Sequence, residues 1–282
     1  MAELVAVLGV PHNPLLFRTM RDPLPGDLAQ TAANFDTFAE HLRRLEVESL
    51  VVVGSDHLRK FGHDMSPPFV VGKAPTYATT YENETRHFGL EEWVVPGDEE
   101  LAAAILGGSV LPTSIDLTLS NEWILDHAFS VPLHFLRSEW DLPVVPVHTN
   151  TNIPPVPHAS RFIEVGRHLA AAIAHAPVTR RVAIIATGPL ATDIGGPAGF
   201  LGAGSPDAEF DQMAVGWMAQ GDADGAVAGC TLERLVAAGN VTPQFLNFLA
   251  ALAATGGRAA DFAEGTASRF NAAPFFFWDM TR

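Results

Sequence analysis

Cysteine is nearly absent: Cys230 is the only one in 282 residues. That excludes an intrachain disulfide and any Cys-rich zinc site. Basic residues are also scarce, with 17 Lys and Arg against 32 Asp and Glu, a formal net charge of −15. No basic run interrupts this balance, and such a chain repels phosphate backbones and anionic lipid, so neither nucleic acid nor a membrane is expected as a partner. No charge-free apolar run reaches membrane-spanning length, and Glu3 stands where a signal peptide carries a basic residue. A cytoplasmic location is the expectation. Internal repeats, low-complexity segments and linkers are missing too, so residues 1–282 are expected to form one domain. The glycine-rich stretch 195–202 follows no strand directly and matches no phosphate-binding fingerprint; it reads as a loop over a pocket.

What is present is a globular composition, 48% hydrophobic and 17% charged. Val51-Val52-Val53 is a continuous β-branched run that ends in Gly54-Ser55-Asp56-His57. Such a run suits a strand buried on both faces. Three more behave alike: Leu4 to Val10 before Pro11-His12, Leu142 to Val147 before His148, and Val182 to Ala186 before Thr187-Gly188. Apolar spacing of three and four predicts helices from Asp27 to Glu46, Ala159 to His175, Asp207 to Gln220, Leu232 to Ala238 and Pro243 to Ala254, with a short one from Glu99 to Leu106. Strands alternating with helices predict an α/β fold, a central mostly parallel or mixed sheet flanked by helices. Its site is expected at the carboxyl ends of the strands. Residues 61–97, rich in Pro, Gly, Thr and Tyr, read as irregular strands around the mouth of that crevice, and Asn121 to Trp140 as a loop entering a helix. Pro274-Phe275-Phe276-Phe277-Trp278 is too apolar to be free and should pack on the body of the domain, as should Phe245, Phe248 and Leu249.

Histidines at several strand ends are what a divalent metal needs, because each imidazole offers a lone pair from a rigid mount. The competing reading is ordinary loop histidines bonded to backbone. His41, His168 and His175 fall on helices and read as solvated; His63, His87 and His158 read as loop residues open to a substrate role.

Together these residues resemble a family. Val10-Pro11-His12-Asn13-Pro14-Leu15-Leu16 is similar to the N-terminal His motif of class III extradiol dioxygenases of the protocatechuate 4,5-dioxygenase type. Ser55-Asp56-His57 resembles their second iron-ligand motif, and Asp126-His127-Ala128-Phe129-Ser130-Val131-Pro132-Leu133 their Asp-His signature. Pro154 to Pro157 with Arg161 and Gly166, then Ala186 to Leu190, then Ala238-Gly239-Asn240, continue the match in order to about residue 255.

The resemblance implies Fe(II) held by two His and one Glu, with open positions for a catecholate and O₂. It makes His12 and His57 the imidazole ligands and His127 a neighbour of substrate and oxygen suited to moving protons. Two positions depart from it. The Glu ligand aligns with Gln244, a neutral and weaker donor, and the catalytic His aligns with Thr192, which has no titratable group near neutral pH. His148 and Asp56 are then candidates to touch substrate or supply another ligand.

The expected function is an iron(II)-dependent extradiol-type dioxygenase acting on a catecholic or related phenolic compound. It is expected as a homo-oligomer or in complex with a small second subunit. The alternatives are a catalytically silent subunit that scaffolds an active partner, and a metal-dependent hydrolytic derivative of the same fold; in place of Fe(II), another divalent metal or none is the alternative.

Overall fold

The computed structural model describes residues 1–107, 115–137, 139, 141–195, 205–266 and 271–282. In chain order the first elements are β1 (Glu3–Val10), α1 (Leu15–Thr19), α2 (Ala29–Arg44), β2 (Ser49–Gly54), β3 (Phe69–Gly72), β4 (Thr76–Ala78) and α3 (Glu82–Phe88). Next come β5 (Val94–Pro96), α4 (Glu99–Leu106), β6 (Thr118–Ser120), α5 (His127–Leu136), β7 (Val144–Thr149), α6 (Ala159–His175) and β8 (Arg181–Thr187). The chain closes with α7 (Ala208–Gln220), α8 (Ala223–Gly229), α9 (Leu232–Ala238), a 3₁₀ turn Thr242–Phe245, α10 (Leu246–Ala254), β9 (Phe262–Thr266) and β10 (Ala273–Asp279).

Eight strands form one mixed sheet in the order β6-β3-β7-β2-β8-β1-β10-β9. The four apolar runs that end in polar groups are its four adjacent central strands, β7, β2, β8 and β1, all parallel. Their carboxyl ends therefore share one edge, where an open α/β sheet binds its ligands. Each run is apolar on both faces because each face is covered. Val51 and Val53 join the core beneath α6 and α10, while Leu50 and Val52 join the core beneath α2 and α5.

The aromatic tail does more than pack on the body. It is β10, antiparallel to β1 and β9, with Phe276 and Trp278 in one core and Phe275 and Phe277 in the other. Phe245, Phe248 and Leu249 are fully buried, as expected. The closest helix contact, α6 on α10, depends on Gly166: a Cβ there would collide with the carbonyl oxygen of Ala250.

Several expectations need correction. His168 is buried, its Nε2 bonded to Ile105 O at 2.7 Å, because α4 packs against α6 there. His41 stacks on Phe277 with ring centroids 4.5 Å apart and an interplanar angle of 17°. His87 belongs to a helix, α3, inside the segment read as irregular. Strand β7 extends through Thr149, so His148 lies within it, opposite Gly54 and Val70. Of the glycine-rich stretch 195–202, all but Gly195 lies outside the described residues. Among the described residues no single helix is long and apolar enough to cross a membrane.

Candidate active site

His12 follows β1, His57 follows β2 and His127 opens α5, and all three line one cavity of about 470 Å³. Each ring is anchored through Nδ1. Thr187, at the end of β8, spends its hydroxyl proton on Ala128 O at 2.9 Å. Its oxygen must therefore accept from His12 Nδ1, 3.1 Å away. His57 Nδ1 and its backbone N–H both donate to Asp126 Oδ2, at 2.9 and 2.7 Å. His127 repeats the pattern on Glu84 Oε1, at 2.6 Å from Nδ1 and 3.0 Å from the backbone N–H. A proton fixed on Nδ1 leaves the Nε2 lone pair of each ring free to act, which is how carboxylates and hydroxyls behind metal-binding histidines set the tautomer.

Burial, with the neighbouring imidazoles His57 and His127 adding to it, holds the His12 pKa well below its ordinary value. Burial and His57 together pull His127 down to about 3, with Asp126 opposing. Both rings are thus neutral near pH 7, the form a metal or an acidic proton requires.

His57, Asp126 and His127 offer ligand atoms within 4.8 Å of one another. The ring geometry favours a different set. Two imidazoles sharing one ion at about 2.1 Å hold their centroids roughly 4.5–5.3 Å apart. His12 and His57 meet that condition at 5.2 Å and an interplanar angle of 84°. His57 and His127 are stacked at 3.9 Å and 27°, so their in-plane lone pairs run side by side and do not meet on one ion. Asp126 is also committed, to His57 and to Ala128 N.

Gln244 faces the His12–His57 pair. Its Nε2 donates to His57 Nε2 at 3.2 Å and to Asn152 Oδ1 at 3.1 Å. It rides on the 3₁₀ turn ahead of α10, where an α-helix was expected. A divalent ion fits this place. Asp126, one hydrogen bond behind His57, and Glu84, behind the neighbouring His127, are buried and supply the compensating negative charge.

Thr192 lines the same cavity, its hydroxyl accepting from Asn271 Nδ2 at 2.6 Å and its N–H donating to Thr242 Oγ1 at 3.0 Å. His148 and Asp56 are not brought to the cavity wall. His148 packs behind it against Phe61 and accepts the Asp56 N–H on Nδ1 at 3.1 Å. The Asp56 carboxylate ties down the N–H groups of Arg59, Lys60 and Phe61. His63, His87 and His158 are exposed and away from the cavity.

Sequence reasoning missed Glu84. It is fully buried on α3, with Oε2 also accepting from Tyr81 N at 2.9 Å. A Glu at the third helical position with Gly89 closing the helix in the left-handed region, φ 73°, is the local signal that marks α3.

A family described as the catalytic LigB subunit of aromatic ring-opening dioxygenase matches residues 6–279. A Rhodococcus protein named 2,3-dihydroxyphenylpropionate/2,3-dihydroxicinnamic acid 1,2-dioxygenase is 28% identical over 190 residues, 67% of this chain and 57% of that protein. An Escherichia coli protein of the same name is 30% identical over 156 residues, 55% of this chain and 46% of that one. The match thus spans about half the length of these curated relatives. In fold, the chain is similar to a solved structure of an uncharacterized Escherichia coli K12 protein, with a TM-score of 0.61 and 17% identity, covering 97% of this chain and 99% of the other. A family match over nearly the whole chain, on the elements that carry His12, His57 and His127, shows that this protein belongs to the family of catalytic LigB subunits of aromatic ring-opening dioxygenases.

Proposed function

We propose that this chain, acting as one α/β unit over residues 1–282, is a non-haem iron(II)-dependent extradiol-type dioxygenase for a catecholic or related phenolic compound. The observation that carries the reading is the His12–His57 pair. The two rings stand at the ends of β1 and β2, on either side of β8, both with tautomers fixed, 5.2 Å apart and facing one cavity. His12 and His57 would hold the metal, with the Gln244 amide beside them. Bound there, ferrous iron supplies the redox centre at which a catechol and O₂ are brought together.

The chain's own residues supply the rest. Thr187 and Asp126 keep the Nε2 atoms of His12 and His57 aimed at the cavity. His127, held by Glu84, presents an unprotonated Nε2 to the same space and takes the proton of a substrate hydroxyl there. Thr192 contributes a neutral hydroxyl fixed by Asn271, so proton transfer falls to His127. Pro11, Pro14, Leu15 and Phe88 exclude water from one wall.

The direct test is metal analysis of protein purified anaerobically with Fe²⁺, followed by oxygen uptake on a panel of catechols. Stoichiometric iron and ring-cleavage absorbance are expected; absence of both overturns the reading. A second reading, a silent subunit that scaffolds an active partner, is favoured by one contact: the Gln244 N–H rests on the His57 lone pair a metal would use.

A further inference from the structure

The rest of the cavity's lining has a chemistry of its own. Beyond the histidines it is mostly apolar, with Pro14, Leu15, Phe88, Ile194 and Val241 beside the uncharged Asn13, Thr192 and Asn271. One charged side chain stands among the described lining residues, and it is acidic: Asp193. The turn that carries it is fixed. Asn240 accepts from Ile194 N at 2.8 Å and donates to Ile194 O at 2.7 Å, and its own N–H reaches Asp193 Oδ1 at 3.3 Å. Gly239, at φ 155°, lets that segment close on Thr192, because a Cβ there would meet the Thr192 carbonyl. The Asp193 carboxylate is therefore held at the rim and does not swing freely through solvent.

We propose that this site selects catechols whose ring substituent is uncharged and apolar, and that Asp193 is a specificity determinant that turns away a carboxylate at the same place. The inference rests on the dioxygenase reading of the histidine site and concerns the remaining lining of the same cavity. An alkyl or aryl substituent leaves water for the Pro14–Leu15–Phe88 wall, which favours binding in proportion to the area covered. A substituent ending in a carboxylate loses hydration against that wall and meets the half-buried Asp193 with like charge. The curated relatives are named for dihydroxyphenylpropionate, whose side chain ends in a carboxylate, so the two predictions separate cleanly.

Two probes share a ring and differ only at the end of the side chain: 3-propylcatechol and 3-(2,3-dihydroxyphenyl)propionate. Their dissociation constants are measured anaerobically by calorimetry on the Fe²⁺-loaded protein, at low and high salt. The propyl compound is expected to bind at least tenfold more tightly, with the gap narrowing as salt screens Asp193. In Asp193→Asn the ratio between the two probes should fall severalfold. Equal or tighter binding of the carboxylated probe overturns the proposal, as does an unchanged ratio in Asp193→Asn or binding of neither probe at millimolar concentration. The expected order of binding without oxygen uptake would leave this selectivity standing and sink the dioxygenase reading, so the two failures are distinguishable.

Discussion

The side-chain amide nitrogen of Gln244 lies 3.2 Å from Nε2 of His57 and shares its second proton with Asn152. A neutral donor thus stands at the position where the family resemblance puts a carboxylate. Substituting Gln244→Glu replaces it with a negative charge next to the His12 and His57 rings. Without metal that charge is buried and uncompensated, so the apo variant should melt below the wild type. With Fe²⁺ the affinity should rise by about tenfold or more, ~1.4 kcal/mol, and the melting temperature should climb more than in the wild type. Chelator competition under argon measures the affinity. No gain in either affinity or ring cleavage favours the silent-subunit reading.

Asp126 serves two structures at once. It holds the His57 ring, and Oδ1 caps α5 by accepting from Ala128 N at 3.1 Å. Asp126→Asn should lower metal affinity roughly 10–100-fold, the usual cost of losing the partner behind a ligating histidine. Asparagine keeps an oxygen to accept from Ala128 N, so the cap survives and stability should change little beside the affinity loss. Metal titration and thermal melting of the same sample check both expectations.

Acid should destabilise the fold through His148. Burial pushes its pKa down to about 3, below the ordinary 6.5 it regains on unfolding. Between those values the unfolded chain binds the extra proton, so stability from this group is full above pH 6.5 and is lost as pH falls toward 3, at about 1.4 kcal/mol per pH unit. Asp56 works in the opposite sense: burial and Asp126 raise its pKa to about 6, so in mild acid the folded state binds its proton more readily. His148→Asn keeps an acceptor for the Asp56 N–H and removes the titration. Urea unfolding at pH 7, 6 and 5 should show a slope shallower by about one proton; identical slopes would refute the assignment.

Asn247 joins the strand ends to α10. Its amide nitrogen donates to Thr187 O at 2.9 Å and Ser55 Oγ at 3.2 Å, and its oxygen accepts from Thr149. This buried network fixes the helix one turn beyond Gln244. Asn247→Leu leaves several polar groups unpaired, with an expected loss of about 2–4 kcal/mol by denaturant titration. Arg86→Ala, which breaks only the exposed pair with Glu82, should change stability by less than about 0.5 kcal/mol.

Local pattern carried much of this protein. The apolar runs ending at Val10, Val53 and Ala186 are the strands β1, β2 and β8 to within a residue at that end. The helices expected at Ala159 to His175 and Leu232 to Ala238 have those bounds. Periodicity was readable there because each element buries its own face. It failed where a residue's surroundings come from elsewhere in the chain. His168 looks like a helix-surface histidine until α4 brings the Ile105 carbonyl against it. Glu84 sits in a segment without clean period, and its meaning appears only when α3 packs on the start of α5.

By itself, then, the sequence determined which side chains follow the central strands, and so that His12 and His57 stand at their carboxyl ends. It determined equally that position 244 is an amide and position 192 a hydroxyl. Only the tertiary structure decided what those groups face. Strand order set the His12 and His57 rings 5.2 Å apart, Thr187 and Asp126 chose their tautomers, and His127 came to stack on His57. The physical reason is range. Strand and helix preference is written in a few neighbouring residues, whereas a ring's proton, orientation and partner depend on atoms that are 69 residues away for His57 and 175 for His12.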